Sequence, residues 1–146
     1  MHRSLVLVLM LLAASLAGCV SNEPLVLEVT AGETDVEIVE SYQDGVLVES
    51  TWATIAFDFS GSASAVTYAL EVSDGRPPIE ASAGDTDVLN LTFDVHGVYT
   101  ITMTATDAKG REVSQNLTVR VNLRIVWTEE ATQDPTALSF DCLLYT

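Results

Sequence analysis

Basic residues are scarce in this chain of 146 residues, which has 6 Lys and Arg against 21 Asp and Glu and a formal net charge of -15. Such an acidic chain cannot bind nucleic acid by neutralising phosphates. Cysteine and histidine number only two each. Zinc needs three or four such ligands and a Ser or Cys nucleophile needs a nearby base, so the sequence predicts no enzyme and no resident cofactor. Hydrophobic residues still make up 48%, enough to form one folded core.

The strongly apolar run is short and lies at the amino terminus. Residues 1–18 contain a charged start at Arg3, an apolar stretch over 5–12 and small residues before Cys19. This is the layout of a secretory signal peptide. An uncleaved membrane anchor is the alternative, but a spanning helix needs roughly 20 apolar residues, far more than are present.

The tetrad 16–19, Leu-Ala-Gly-Cys, resembles the lipobox of prokaryotic lipoproteins. That resemblance implies a signal peptide over 1–18, diacylglyceryl attachment to Cys19 and a lipidated tether over 19–24. Two acyl chains together hold a protein at a membrane, which one chain does only marginally. We therefore expect an extracytoplasmic protein anchored to the cell membrane through Cys19, which leaves Cys142 without a disulfide partner.

From residue 25 onward, apolar and polar residues alternate with period 2. Over 99–106 the apolar residues occupy one parity and four threonines the other. Similar runs occur at 54–59, 66–72, 89–93 and 117–121, and turn-forming Gly, Asp, Asn and Ser residues separate them. About seven short strands without an amphipathic helix predict an all-β fold, an antiparallel β-sandwich over 25–122.

Two Asn-x-Thr sequons lie within these strands, at Asn90 and Asn116. Because Leu89 and Leu91 define the covered face of one strand, Asn90 falls on the solvent side, and the same reasoning applies to Asn116. Both asparagines are candidate glycosylation sites outside the cell.

The last part of the chain, 123–146, has a different character. An alternating run over 123–127 predicts an extra strand, and a polar stretch over 128–135 predicts a linker. The terminal residues 140–146 are apolar but too few to bury themselves. They either pack on the sandwich or begin a truncated second module, and we favour the second module.

Three segments together resemble the PKD domain, an immunoglobulin-like sandwich of extracellular archaeal and bacterial proteins. They are 54–62, with its Ser-Gly-Ser turn, 68–75, and 97–110, which is similar to the family pattern Gly-x-Tyr-x-Val-x-Leu-x-Val-x-Asp-x-x-Gly. The resemblance implies an archaeal lipoprotein that binds a protein or carbohydrate at the cell surface, mediates adhesion, or acts as a spacer. The alternative is the amino-terminal appendage of a larger secreted hydrolase or solute-binding protein.

Architectural roles account for most of the remaining polar residues. Buried Tyr99 would need a partner for its hydroxyl group, Asp107 and Gly110 would close a hairpin, and His96 would be an exposed turn residue. Calcium is the one ion that the turn aspartates favour, since hard cations take clustered carboxylate oxygens, although no EF-hand spacing is present. The candidate calcium ligands are Asp74, Asp85, Asp87, Asp94 and Asp107.

Overall fold

The computed structural model describes residues 23–130. The predicted signal peptide, the lipidation site Cys19, most of the tether, and the segment from 131 with Cys142 lie outside the described residues. Nine β-strands follow one another along the described chain. They are β1 (Thr30–Ala31), β2 (Asp35–Gln43), β3 (Val46–Thr51), β4 (Ala53–Asp58), β5 (Thr67–Val72), β6 (Ile79–Ser82), β7 (Val88–Phe93), β8 (Gly97–Thr106) and β9 (Glu112–Thr128).

The strands form two sheets that pack into an immunoglobulin-like β-sandwich, which confirms the predicted fold class. One sheet has the order β1-β4-β7 and the other the order β3-β2-β9-β8-β5-β6. Neighbouring strands are antiparallel except β2 and β9, which pair in parallel over nine residues. Strands joined by a tight hairpin must be antiparallel. Because β2 and β9 are far apart in the chain, that constraint does not apply to them. The alternation of apolar and polar residues gives no sign that the two strands pair in parallel.

The alternation fixes which side chains form the core. Along β8 the odd-numbered residues face inward and are buried, while the threonines face outward. Phe57 from one sheet and Leu70 from the other are completely buried. Each such side chain stabilises the fold by about 1.5 to 3 kcal/mol relative to exposure.

Predicted turn residues occupy the strand connections. The turn between β2 and β3 consists of Asp44 and Gly45, both with positive φ, at 49° and 81°. Two such residues match a type I′ hairpin, which suits the right-handed twist of the flanking strands. Gly110 has a φ of 76° and its N–H donates to the Asp107 carbonyl oxygen over 3.0 Å, which confirms that these two residues close the hairpin between β8 and β9.

β9 is unusually long, at 17 residues. Residues 112–121 pair with β8, and residues 120–128 pair with β2. Residues 123–127, predicted as an extra strand, are therefore the second half of β9. The predicted boundary after residue 122 falls inside the strand, because β2 supplies a partner where β8 ends.

Candidate functional site

The turn at the start of β9 is held by the side chain of Asp107. This carboxylate accepts hydrogen bonds from the N–H groups of Lys109, over 2.8 Å, and Arg111, over 2.9 Å. It also accepts a 2.6 Å hydrogen bond from Nε of Arg111. Burial opposes ionisation of Asp107, but these donors and the positive guanidinium group outweigh it, so the pKa of Asp107 lies below its ordinary value.

Arg111 also binds the beginning of the described chain. Its Nη2 atom donates to the carbonyl oxygen of Glu23 over 3.1 Å. One guanidinium group thus joins Glu23, within the predicted tether, to the turn that begins β9. Sequence analysis missed this contact, because Glu23 and Arg111 are separated by 88 residues and no local pattern connects them.

Tyr99 lies in the core, and its hydroxyl group donates to the carbonyl oxygen of Val95 over 2.8 Å. This confirms the prediction that the buried hydroxyl group has a partner. His96 lies next to Val95 and is partly buried. The expectation of an exposed turn histidine was wrong, since His96 is only partly exposed.

Both sequon asparagines are exposed, as their parity predicts. Asn90 is on the outer side of β7, paired with Ala56 of β4, and Asn116 is on the outer side of β9, paired with Thr102 of β8. A sugar could reach either side chain without disturbing the core. Glycosylation itself stays a prediction.

The candidate calcium ligands are divided among several loops. Asp74 binds Arg76, accepting a 2.8 Å hydrogen bond from its Nε atom, and this arginine holds the pKa of Asp74 below its ordinary value. Asp107 is engaged by Arg111. Within residues 23–130 no group of three or more His, Cys, Asp or Glu side chains is placed to hold a metal ion. Calcium binding to these aspartates stays a prediction.

A shallow polar groove of about 410 Å³ crosses the outer face of β5, β6 and β8. Threonine hydroxyl groups and three glutamates dominate its lining. The lining residues are Thr67, Ala69, Glu71, Pro78, Glu80, Thr102, Thr104, Thr106 and Glu112. Hydroxyl groups and carboxylates can hydrogen-bond a polar ligand, but the groove encloses no apolar centre of the kind that binds small molecules tightly.

The other distinctive surface is apolar. We call it the distal ribbon: residues 40–50 of β2 and β3 with their turn, and residues 124–128 of β9. Cross-strand pairing places Leu47 and Trp127 on either side of Tyr42, and the rings of Tyr42 and Trp127 stack with centroids 5.8 Å apart. The same face of the sheet also carries Ile38, which is buried in the core, and Leu123, which packs against the core. On this face Leu47 is 47% exposed.

Sequence analysis did not single out the distal ribbon. Its Asp-Gly pair indicated only a turn, and alternation alone could not show that the two strands would extend past the second sheet. Within residues 23–130 there is also no helix of the length and apolar character needed to cross a membrane.

This fold is an immunoglobulin-like β-sandwich module. Two sheets are stacked, the chain passes back and forth between them, and one pair of strands is parallel. The family model for the PKD domain matches residues 27–121. The match covers more than half of the chain, and the chain belongs to this family. PKD domains are non-catalytic modules that are often used for adhesion or spacing. A search of curated proteins finds no match.

Proposed function

We propose that this protein is a non-enzymatic, lipid-anchored extracytoplasmic module that holds whatever follows it at a fixed distance from the cell membrane. Cys19 is the proposed lipid attachment site. The observation that carries the proposal is the position of the two ends of the described chain, which lie at opposite poles of the sandwich.

The described chain begins at one pole. Glu23 contacts Arg111, which directly precedes β9. The chain leaves at the other pole, where β9 ends at Thr128 and the N–H of Glu130 donates to Oδ1 of Asp44 over 3.2 Å. At a rise of about 3.3 Å per residue, the length of β9 separates the poles by roughly 50 Å.

This arrangement suits a spacer because β9 is supported along its whole length. β8 pairs with its first part and β2 with its second. A strand bonded throughout to its neighbours cannot fold back as a flexible linker would. The length of the spacer is thereby set by the fold, independently of what is attached.

The spacing is measured with two spin labels on the anchored protein. Glu23→Cys and Glu130→Cys, in a chain carrying Cys142→Ser, place one label at each pole. We expect a narrow distance distribution centred near 50 Å. The control pair, Glu23→Cys with Lys109→Cys, lies at one pole and should give a short distance. A broad or short distribution for the first pair would contradict the spacer.

Anchoring is tested separately. The wild-type protein extracted from membranes should have an intact mass corresponding to a chain that begins at a diacylglyceryl-modified Cys19. Cys19→Ser should leave the protein unprocessed or release it from the membrane. A mature chain beginning elsewhere, with an unmodified Cys19, would refute the lipid anchor while leaving the spacer geometry intact.

Adhesion through the polar groove is a second candidate, favoured by the hydroxyl groups and carboxylates that line it. Glu71→Gln and Glu80→Gln change its lining without altering the core, since both side chains are exposed. If the groove binds a cell-surface protein or carbohydrate, the double variant should lose binding to whole cells that the wild-type domain shows. Equal binding by both proteins would exclude the groove as the binding surface, and binding by neither would favour the spacer alone.

A further inference from the structure

Strand β7 forms one edge of the three-stranded sheet. It pairs with β4 on one side, and no strand within residues 23–130 pairs with its other side. An open edge presents main-chain N–H and C=O groups with which another chain can pair, and natural proteins commonly block it with charged residues or proline. The six residues of β7, Val-Leu-Asn-Leu-Thr-Phe, include neither. Any block at this edge therefore comes from neighbouring side chains or from a modification.

The direction of the main-chain groups of β7 follows from its pairing with β4. Asn90 is directly opposite Ala56. The carbonyl oxygen of Ala56 accepts a 2.9 Å hydrogen bond from the N–H of Gly32, so it points away from β7. Residues opposite each other in an antiparallel ladder either exchange both hydrogen bonds or exchange neither. Because Ala56 and Asn90 exchange neither, the N–H and C=O of Asn90 face the open edge, as do those of Val88 and Thr92.

Side chains already cover both ends of this edge. The hydroxyl group of Thr86 donates to the carbonyl oxygen of Val88 and accepts from its N–H, each over 3.1 Å. Nη1 of Arg76 donates to the carbonyl oxygen of Thr92 over 2.8 Å. No residue of the described chain makes such a bond to the main chain of Asn90. The centre of the edge, at Asn90, is therefore the part left open.

The second sequon lies on another open edge. β8 pairs with residues 112–121 of β9, but β2 joins the other side of β9 only from Arg120 onward. Before that point, no strand within residues 23–130 pairs with the other side of β9. Asn116 therefore lies in an edge segment, although the second half of β9 is inside the sheet.

The main-chain groups of Asn116 also face its open side. In β8, the carbonyl oxygen of Thr100 accepts a 3.0 Å hydrogen bond from the N–H of Ser73, so Thr100 points away from β9. Thr102, two residues further along β8, has the same direction and is directly opposite Asn116. The two sequons thus share one arrangement: each asparagine lies in an open edge and points its main-chain groups outward.

At β7 the open position defines how two copies of the chain can meet. Because Val88 and Thr92 are covered, Asn90 pairs with Asn90 of the second copy, and the contact is two-fold symmetric. The two Asn90 side chains then lie directly opposite each other on one face, with their Cα atoms about 5.5 Å apart. A bulky group on this side chain therefore keeps the two strands apart.

We propose that Asn90 and Asn116 carry N-linked sugars and that these sugars block the two open edges against pairing with a second copy of the chain. Both side chains are exposed, and each begins an Asn-x-Thr sequon. The proposal rests on the proposed extracytoplasmic location, since sequons are acceptor sites in secreted proteins. It does not depend on the spacer.

Intact mass tests the modification. The native protein should carry sugar at both asparagines, and Asn90→Gln and Asn116→Gln should each remove one sugar. Thr92→Ser and Thr118→Ser keep the sequons and are matched controls that should keep both sugars. An unmodified asparagine at either site, in a protein that is lipidated at Cys19, would overturn the proposal and leave the location intact.

Sedimentation tests the effect on assembly, in about 1 M salt so that the acidic charge is screened within about 3 Å. The native protein should be a monomer, whereas Asn90→Gln and Asn116→Gln should each form dimers that dissociate on dilution. Asn90→Asp also lacks the sugar but should stay monomeric, because like charges directly opposite each other oppose strand pairing. A monomeric Asn90→Gln variant, or equal association of Asn90→Gln and Asn90→Asp, would overturn the proposal.

Discussion

The sandwich and the distal ribbon are made of strands with similar alternation but have opposite environments. Phe57 and Leu70, in the sandwich, are completely buried, whereas Leu47, on the inner face of the ribbon, is 47% exposed. The difference is the second sheet: β4 and β7 cover the core strands, and within residues 23–130 no strand covers the ribbon. Alternation therefore tells which residues share a face, while a second layer decides what that face contributes to stability.

The largest expected contrast comes from truncating one side chain in each region. Phe57→Ala should destabilise the protein by about 3 to 5 kcal/mol, because it removes buried contacts and leaves a cavity. Leu47→Ala should cost no more than about 1 kcal/mol, because its side chain is only partly removed from water. Urea unfolding of both variants measures the difference. If Leu47→Ala costs as much as Phe57→Ala, the ribbon is covered more completely than the described residues show.

A second contrast compares two tyrosine hydroxyl groups. Tyr99→Phe leaves the carbonyl oxygen of Val95 without its hydrogen bond and should cost about 1 to 2 kcal/mol. Tyr42→Phe removes a 2.9 Å hydrogen bond to Glu40 in the ribbon, where water can replace it, and should cost less. Thermal unfolding of the two variants tests this order. A larger cost for Tyr42→Phe would show that the ribbon, too, excludes water.

A third contrast compares two turn aspartates: Asp107, in the turn before β9, and Asp44, whose N–H donates to the carbonyl oxygen of Thr128 at the end of β9. Because the pKa of folded Asp107 lies below its ordinary 3.8, the ionised group stabilises the fold above about pH 4, and this stabilisation is lost as the pH falls through the folded pKa. Asp107→Asn should therefore lower the melting temperature at neutral pH and flatten its decline in acid. Asp44→Asn should be nearly neutral, since Asn-Gly also suits a type I′ turn.

The result that would contradict this third prediction is a melting profile for Asp107→Asn that follows the wild type down to pH 3. Such a profile would mean that the charge of Asp107 is not needed by the donors of Lys109 and Arg111. Melting temperatures recorded by circular dichroism at several pH values provide the comparison.

The smallest expected effect is at an exposed ion pair at the edge of the ribbon, between Arg124 and Glu37. Nε of Arg124 lies 3.2 Å from Oε2 of Glu37, and both side chains are more than half exposed. Exposed pairs of this kind are worth about 0.2 to 1 kcal/mol at most. Arg124→Gln should therefore change stability only slightly, and less at high salt than at low salt. A loss comparable with that of Tyr99→Phe would show that the pair is shielded from solvent.

Much of the fold could be predicted because its signals are local. The odd-numbered residues of β8, the Asp44-Gly45 turn and the exposed sides of Asn90 and Asn116 all follow from spacing along a single strand or turn. The contact between Arg111 and Glu23 and the parallel pairing of β2 with β9 could not be predicted. They join residues that are distant in the chain, and no local pattern specifies which distant partners meet.

The sequence by itself determined the strands β4, β5, β7, β8 and β9, with their inward faces and the turns between them, since side chains of an extended chain alternate sides and certain residues favour turn conformations. Only the tertiary structure decided which strands became neighbours and where the second sheet stopped. That choice depends on how apolar faces pack together in space, and it left Glu23 and Glu130 at opposite poles, with β3 at the edge of its sheet.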